Sequence, residues 1–399
     1  MTTAQTMYNV SEGYVCHHNT DLWGDSAPQD NSASSTFWPS GGAWLATHVG
    51  EYWRFTQDTS TLQQRYDLLR DAAMFMAEFL TDYKDWKVTN PTLSPENDYY
   101  LPNSTSTAAI TLGATIDNSI LWELFGMVLE AQEALEINDT QLSELMTTRR
   151  AQLPPLMVSS FGGIQEWIED YEETDPGHRH WSPLFGLYPG SQITIRNSTT
   201  FNAAKTSLTR RLDNGSGDTG WSRAWSISLA SRLFMPDIVH SSLMQLLYNY
   251  TYYNGMLDTG PPAPFQIDGN FGGPAGIAEA LVQSHETVAN ASFPTYLIRL
   301  LPALPMEWAA NGGGYVTGLR ARGGFEVDVY WNRNGRMVNA TLTSLIGNSV
   351  WVAVGSAPMT SNATTSAGNT TQISIQGVGT GLFLSLKTTK GGKYLVMSS

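Results

Sequence analysis

The chain has 399 residues, of which 41% are apolar and 15% charged, with a formal charge of −14. That length and apolar content suffice for a sizeable core over two or three domains, and many aromatics with few charges are the opposite of a disordered composition. An acidic surface repels phosphate backbones and anionic lipid, so neither nucleic acid nor a membrane is an expected partner, and no apolar run approaches the roughly 18 residues that cross a bilayer.

The N-terminus through Asn9 has neither a basic stretch nor an apolar one, so it does not read as a signal peptide. Cys16 is the single cysteine, which excludes an internal disulfide framework and any multi-cysteine zinc site. A short helix is expected over Gly41 to Phe55. Leu62, Tyr66, Leu69, Ala73, Met76 and Leu80 recur at threes and fours, one stripe of an amphipathic helix. Ile116, Ile120, Leu121, Leu124, Val128 and Leu135 form a second stripe, and Ala224, Ile227, Ala230 and Phe234 a third. Leu243, Leu246, Leu247 and Tyr250 form a fourth. Ile277, Ala278, Leu281, Val282 and His285 follow Gly272-Gly273-Pro274, where proline suits a first helical turn. Long segments rich in Gly, Pro, Asn and aromatics separate these helices, at 16–42, 85–115, 152–198 and 254–271. Loops of that length in a domain are usually functional.

After Pro305 the period falls to two. Phe325, Val327, Val329 and Trp331 alternate with Glu326, Asp328 and Tyr330, and Val350, Val352 and Val354, and Leu382, Leu384 and Leu386, recur at every second position. Asn334-Gly335 and Gly391-Gly392 supply turns, and Ser356 to Thr371 reads as a loop. The expected architecture is a mostly α domain over 1–305, whose helix–loop alternation fits an α/α toroid, followed by a C-terminal β-sandwich over 306–399.

Four polar clusters sit in the long loops: His17 to Trp23, Ser94 to Asn97, Asp175 to His180, and Gln266 to Phe271. The histidines show no His-Glu-x-x-His spacing, so they read as hydrogen-bonding groups, and neither a metal nor another cofactor is expected. There is no Gly-x-Ser-x-Gly elbow and no phosphate-binding Gly-x-x-x-x-Gly-Lys. Carboxylates among many aromatics remain, the equipment of glycoside hydrolysis. Ten Asn-x-Ser/Thr acceptors (Asn9, Asn103, Asn138, Asn197, Asn214, Asn249, Asn290, Asn339, Asn362 and Asn369) point to a secreted glycoprotein.

Several stretches in order carry a family resemblance: His17-His18-Asn19-Thr20-Asp21-Leu22-Trp23, Trp38-Pro39-Ser40-Gly41-Gly42, Ser94-Pro95-Glu96-Asn97, Gln165-Glu166-Trp167, His178-Arg179-His180, Leu187-Tyr188-Pro189-Gly190, Thr219-Gly220-Trp221-Ser222-Arg223, and Gln266-Ile267-Asp268-Gly269-Asn270-Phe271-Gly272. On these the chain resembles glycoside hydrolase family 95, α-L-fucosidases with an (α/α)6 barrel. The resemblance implies that Glu96 is the general acid and that Asp268 helps activate water. It places Arg179 and His180 on the fucose hydroxyls. His18, Asn19, Asp21, Trp23, Trp221, Arg223 and Asn270 are implied to shape the pocket, with Asn270 also supporting Asp268. It implies inversion, which calls for carboxyl groups roughly 6.5–9.5 Å apart, and a fucosylated oligosaccharide or polysaccharide as substrate.

Two positions depart from the family's pattern, Pro183 where a histidine is usual and Asp218 before Thr219. The family's chains are longer, with an N-terminal β domain and an Asn-x-Asn pair that would fall upstream of Met1. On that reading the barrel lacks its first segments, and the stripes near Leu62–Leu80 and Ile277–Val288 are expected to be partly uncovered. An α-L-galactosidase and an inactive, sugar-binding remnant stay open as alternatives.

Overall fold

A computed structural model of the chain describes residues 2–29, 31–257, 259–260, 264–288, 295–356, 366–367, 372–375 and 383–398. The chain divides into two compact units. One comprises Met1–Trp53, Asp58–Ile193 and Asn202–Asn214, the other Arg54–Gln57, Thr194–Phe201 and Gly215–Ser399.

The first unit contains helices α1 (Thr2–Tyr8), α2 (Ala33–Thr36), α3 (Gly41–Thr56) as far as Trp53, α4 (Thr59–Phe79), α5 (Thr115–Ala134), α6 (Thr140–Gln152) and most of α7 (Ser198–Asp213). Asp58 caps α4 by accepting the Ser60 and Thr61 amides, and Asp139 caps α6 through the Leu142 amide. The stripe from Leu62 to Met76 is buried along α4, and that from Ile116 to Val128 along α5, in one apolar core. The expected uncovering of the Leu62–Leu80 stripe is therefore corrected: these side chains are covered within their own unit. α6 has a short buried face, and α7 a mixed one that joins Phe201, Ala204 and Leu208 to polar groups. Only Leu142 and Met146 of α6 are buried, and α7 buries polar Ser207 and Arg211 beside Ala204 and Leu208.

The long segment after α4 is not structureless. It holds short strands β1 (Thr81–Tyr83), β2 (Trp86–Val88), β3 (Thr92–Leu93), β4 (Tyr99–Tyr100), β5 (Thr107–Ala108) and β6 (Ile110–Thr111). β1 pairs β2, and the β4–β5 pair lies inside the β3–β6 pair along the chain. Asp117, in the first turn of α5 and wholly buried, ties this segment down. Its carboxylate accepts from Trp38 Nε1 at 2.7 Å, Thr89 Oγ1 at 2.7 Å and Thr92 Oγ1 at 2.6 Å. Burial raises its carboxyl above the ordinary range, while these three donors pull the other way.

The second unit opens with α8 (Gly220–Arg232), α9 (Pro236–Asn249) and α10 (Ile267–Leu281). Thr219 caps α8 by accepting the Ser222 amide. The buried face of α9 is Val239, Ser242 and Leu246, one step round from the expected stripe, and Leu247 is exposed. α10 starts seven residues before Pro274, so that proline lies inside the helix rather than at its start. The reason is close packing on α8. A Cβ at Gly269 would lie 3.2 Å from the Gly220 carbonyl carbon, at Gly272 2.8 Å from the Trp221 ring, and at Gly276 2.6 Å from Ile227 Cγ2. Glycines one turn apart let the two backbones approach, which outweighs their poor helix propensity of about 1 kcal/mol each.

A sandwich follows, beginning at Val282 and not after Pro305. Its strands are β7 (Val282–Val288), β8 (Thr295–Leu300), β9 (Gly313–Ala321), β10 (Phe325–Asn332), β11 (Met337–Ser344), β12 (Val350–Val354), β13 (Ser366–Ala367), β14 (Gln372–Ile375), β15 (Phe383–Leu386) and β16 (Lys393–Ser398). They form two sheets, in orders β14-β16-β11-β10-β9 and β13-β15-β12-β8-β7. Val327, Val329 and Leu342 of the first share one core with Ile298, Val352 and Leu386 of the second. β7 and β8 are buried at successive positions, so they lack the alternation that marks the later strands. Leu281, Val282 and His285 are buried, while Ile277 and Ala278 at the start of this stripe are half-buried. Leu382 and most of the Ser356–Thr371 segment lie outside the described residues.

Asp117→Ala leaves one indole and two hydroxyl donors without their acceptor in a dry interior. The expected loss is about 3 kcal/mol of stability, read from the urea midpoint against wild type. A change below about 1 kcal/mol would show that the Trp38, Thr89 and Thr92 segments are held by something else.

Candidate functional site

The segment from Ser94 to Asp98 links β3 to β4, and its two ends are fixed while its middle is open. Ser94 and Asn97 are buried, the Asn97 amide closes a turn onto the Ser94 carbonyl at 2.8 Å, and the Pro95–Glu96 peptide is cis. Glu96 between them keeps 30% of its side-chain surface exposed. The backbone beyond Asn97 pairs with a distant segment: Thr174 N donates to Asp98 O, Tyr100 N donates to Glu172 O, and Tyr99 bridges Glu173. Tyr99 also stacks on Tyr171 at 4.3 Å. That pairing brings the chain from Tyr171 to Thr174, and the His178-Arg179-His180 run a few residues on, beside Glu96.

Arg179 Nη2 donates to Glu96 Oε2 at 2.6 Å. The Glu96 amide donates to His178 Nε2 at 3.2 Å, which fixes that nitrogen as unprotonated. His178 and His180 meet edge to face at 5.3 Å, and Ser182 Oγ donates to the Pro95 carbonyl. Glu96, Arg179 and His180 thus share one site, as expected. The Glu96 carboxylate faces a cation, the Arg179 guanidinium. Burial first, then Arg211, His180 and Arg179, pushes the His178 imidazole down to about 2. Burial first, then Arg179, pushes His180 down to about 4, with Glu96 opposing.

Four further charged groups lie under this site. Arg211 pairs with buried Glu166 at 2.5 Å, and Arg210 pairs with Glu173. They line a cavity of about 290 Å³ with the aromatic rings of Phe161, Trp167 and Tyr171; Glu96 and Arg179 are not among its walls. Glu166 stood in a matching stretch of sequence, but nothing in its type or spacing marked it as a partner of the Glu96 segment. The signal available was the buried charge itself, which must be paired.

The other expected residues fall elsewhere. His17, not His18, is locked into the core, with Nδ1 on the Ser26 carbonyl at 2.6 Å and Nε2 on the Tyr8 hydroxyl at 2.6 Å. Since a carbonyl only accepts, Nδ1 donates and Nε2 accepts. His18 is half-buried, whereas Asn19, Asp21 and Trp23 lie on an exposed loop, where Asp21 accepts the Trp23 and Asp25 amides and the Trp23 side chain is 87% exposed.

In the second unit, the first turns of α8 and α10 lie side by side, joined by the Trp221 amide donating to Gln266 Oε1 at 2.9 Å. Trp221 stacks on Trp225 at 5.2 Å. Asp268 is exposed in the first turn of α10, where the helix N-terminus favours an anion. Arg223 and Asn270 differ from expectation. Arg223 is buried and donates to the carbonyls of Gly217 at 2.8 Å and Ser216 at 3.0 Å. The Asn270 amide is used up on backbone, accepting from Leu257 N at 3.0 Å and donating to Leu257 O and Gln266 O. Both hold loops in place, and the Asn270 amide has its oxygen and both hydrogens bonded to backbone.

The family model described as "Glycosyl hydrolase family 95 catalytic domain" matches residues 1–281, and that described as "Glycoside hydrolase family 95, C-terminal domain" matches residues 283–396. The chain is 36% identical over 343 residues to "Alpha-L-fucosidase 2" of Arabidopsis thaliana, covering 82% of this chain and 38% of that protein. It is 34% identical over 349 residues to "Probable alpha-fucosidase A" of Aspergillus niger, covering 84% and 42%. The chain therefore spans about two fifths of the length of these curated relatives. Among solved structures, an α-L-rhamnosidase from Aspergillus terreus covers 91% of this chain and 39% of its own at 13% identity and a TM-score of 0.45, a likeness on which nothing below rests.

The two neutral histidines carry a pH dependence of stability. In the unfolded chain each takes a proton near about pH 6.5, whereas in the fold His180 does so near about 4 and His178 near about 2. Between those values the unfolded state binds more protons, so stability present above pH 6.5 is lost as pH falls toward 4, by up to about 1.4 kcal/mol per histidine and pH unit. Denaturant titrations at pH 7, 6 and 5 read this slope, and a midpoint that does not move over that range would refute it.

Proposed function

Because the chain belongs to glycoside hydrolase family 95, we propose that this protein releases terminal α-L-fucose, 1,2-linked to galactose, from xyloglucan or other fucosylated oligosaccharides with inversion. The observation that carries the reading is the Glu96 segment, whose flanks are anchored and whose carboxylate is left open beside Arg179. The α-L-fucosidase names of the relatives support the substrate class.

In the proposed reaction Glu96 gives its proton to the glycosidic oxygen as the C1–O bond breaks. A water attacks C1 from the opposite face, with its proton passing toward Asp268. Sugar hydroxyls that draw Arg179 to themselves leave Glu96 free to carry the proton. His180, neutral, accepts from or donates to a hydroxyl, and Trp221 offers a ring face to the C–H side of a sugar. His18, Asn19, Asp21 and Trp23 are proposed to contact the sugar as well, and no cofactor is needed. The (α/α)6 barrel belongs to the same proposal, supported by the packing of α4 on α5, α5 on α6, and α8 on α9 and α10.

Glu96→Gln is expected to lower hydrolysis of a fucosylated oligosaccharide by at least about 100-fold while fucose still binds. NMR of the first-formed fucose from wild type is expected to show the β-anomer. Undiminished turnover by the variant removes Glu96 from the acid role, and α-fucose appearing first means retention.

Secretion and N-glycosylation are part of the proposal. Asn9, Asn103, Asn138, Asn197, Asn214 and Asn249 are all exposed, Asn339 is half-buried, and the other three acceptors lie outside the described residues. Enzymatic deglycosylation of protein collected from the medium of eukaryotic cells is expected to lower its mass by several glycans. An unchanged mass refutes this.

A further inference from the structure

We infer that Glu166 and Arg211 are a pair of positioning residues that set the proposed acid Glu96 against Arg179, an inference that rests on the acid role proposed above. Each member holds its target from both sides. Glu166 accepts from Ser94 Oγ at 2.9 Å and from Asn97 Nδ2 at 3.2 Å, so one buried carboxylate grips the residues on either flank of the Pro95-Glu96 dipeptide. Arg211 donates to the carbonyls of His178 and His180, the residues on either flank of Arg179. The 2.5 Å Glu166–Arg211 bond joins the two grips. Glu173 reinforces it, accepting from Asn97 Nδ2 at 3.2 Å and from Arg211 at 3.5 Å. Neither Glu166 nor Arg211 bonds the Glu96 or Arg179 side chain; both act through backbone and neighbouring polar groups.

The chemistry requires this residue type. Arg211 presents several N–H groups in a rigid fork, so it serves two carbonyls and a carboxylate at once, which a lysine does not. Glu166 receives three donors, Ser94 on Oε1 and Asn97 and Arg211 on Oε2; a glutamine lacks the negative charge that pairs with the buried Arg211 guanidinium and must turn its NH₂ onto the Ser94 hydroxyl to avoid facing two donors. Proton transfer falls steeply when the acid moves from its line to the leaving oxygen. A displaced Glu96 matters most for a leaving group that needs its proton.

The test is a leaving-group comparison on the full chain, with wild type, E96Q, E166Q and R211K each assayed on a fucosylated oligosaccharide and on an aryl fucoside with a strongly acidic phenol. E96Q is expected to lose about 100-fold or more on the oligosaccharide and far less on the aryl fucoside. E166Q and R211K are expected to show the same split, at least about tenfold greater loss on the oligosaccharide, at temperatures below the melting point of each variant. A purely structural role lowers both rates by one common factor, and that result for E166Q and R211K, with the split kept by E96Q, overturns the positioning inference alone. No split in E96Q overturns the acid role and this inference with it. The same follows if wild type cleaves neither substrate.

Discussion

Taking a carboxylate and a guanidinium out of water costs several kcal/mol for each ion, and the cost is offset only where the geometry is good and the remaining lone pairs and N–H groups find partners. Glu166 and Arg211 are both buried, and beside their mutual pair they bond Ser94, Asn97 and the carbonyls of His178 and His180. Burial raises the Glu166 carboxyl above its ordinary range, with Glu173 adding to it, while Arg211, Ser94 and Asn97 oppose. The positions of two irregular segments, distant in sequence, thus follow from one requirement: the ions must not be left unsatisfied. The nested hairpins β3 to β6, the Asp98–Thr174 pairing and the Asp117 anchor all converge on the same segments.

Much of the helical architecture is legible where a helix buries one apolar face and exposes the other, as α4 and α5 do. It is lost where that contrast fails. α7 buries Ser207 and Arg211 among Phe201, Ala204 and Leu208, so polar residues interrupt the apolar pattern of its inner face. β7 and β8 are covered at nearly every position, and Gln283 to Glu286 are buried although polar, so neither period nor polarity announces a strand. α10 misleads for a third reason. Glycine and proline usually punctuate helices, but here the glycines serve a close helix contact that no local pattern encodes.

The site divides in the same way. The motifs that carry the family resemblance single out Glu96, Arg179 and His180, which the structure places together. They do not say which polar side chains are consumed by the fold. Arg223 and Asn270 stand in the same stretches as Trp221 and Asp268, yet their hydrogen bonds go to backbone. Of two adjacent histidines, His17 is structural because Ser26 and Tyr8 take both its nitrogens. Hydrogen-bond demand is settled by three-dimensional neighbours, so a one-dimensional reading overcounts the residues free to meet a ligand.

The contact between α8 and α10 carries a further consequence. Helices usually keep their alignment because side-chain ridges of one mesh with grooves of the other. Here glycines remove the ridges along α10, and the Trp221 ring seated over Gly272, with its amide on Gln266, supplies the missing tooth. One aromatic therefore has two masters: the shape of the surface near Asp268 and the alignment of two helices. Such a residue resists gradual exchange. Every other side chain is smaller and frees the helices to slide, so a change at Trp221 needs a matching change at position 272. Divergence in what this end of the molecule recognises is channelled away from Trp221 and toward the neighbouring loops, where a side chain answers to one constraint at a time.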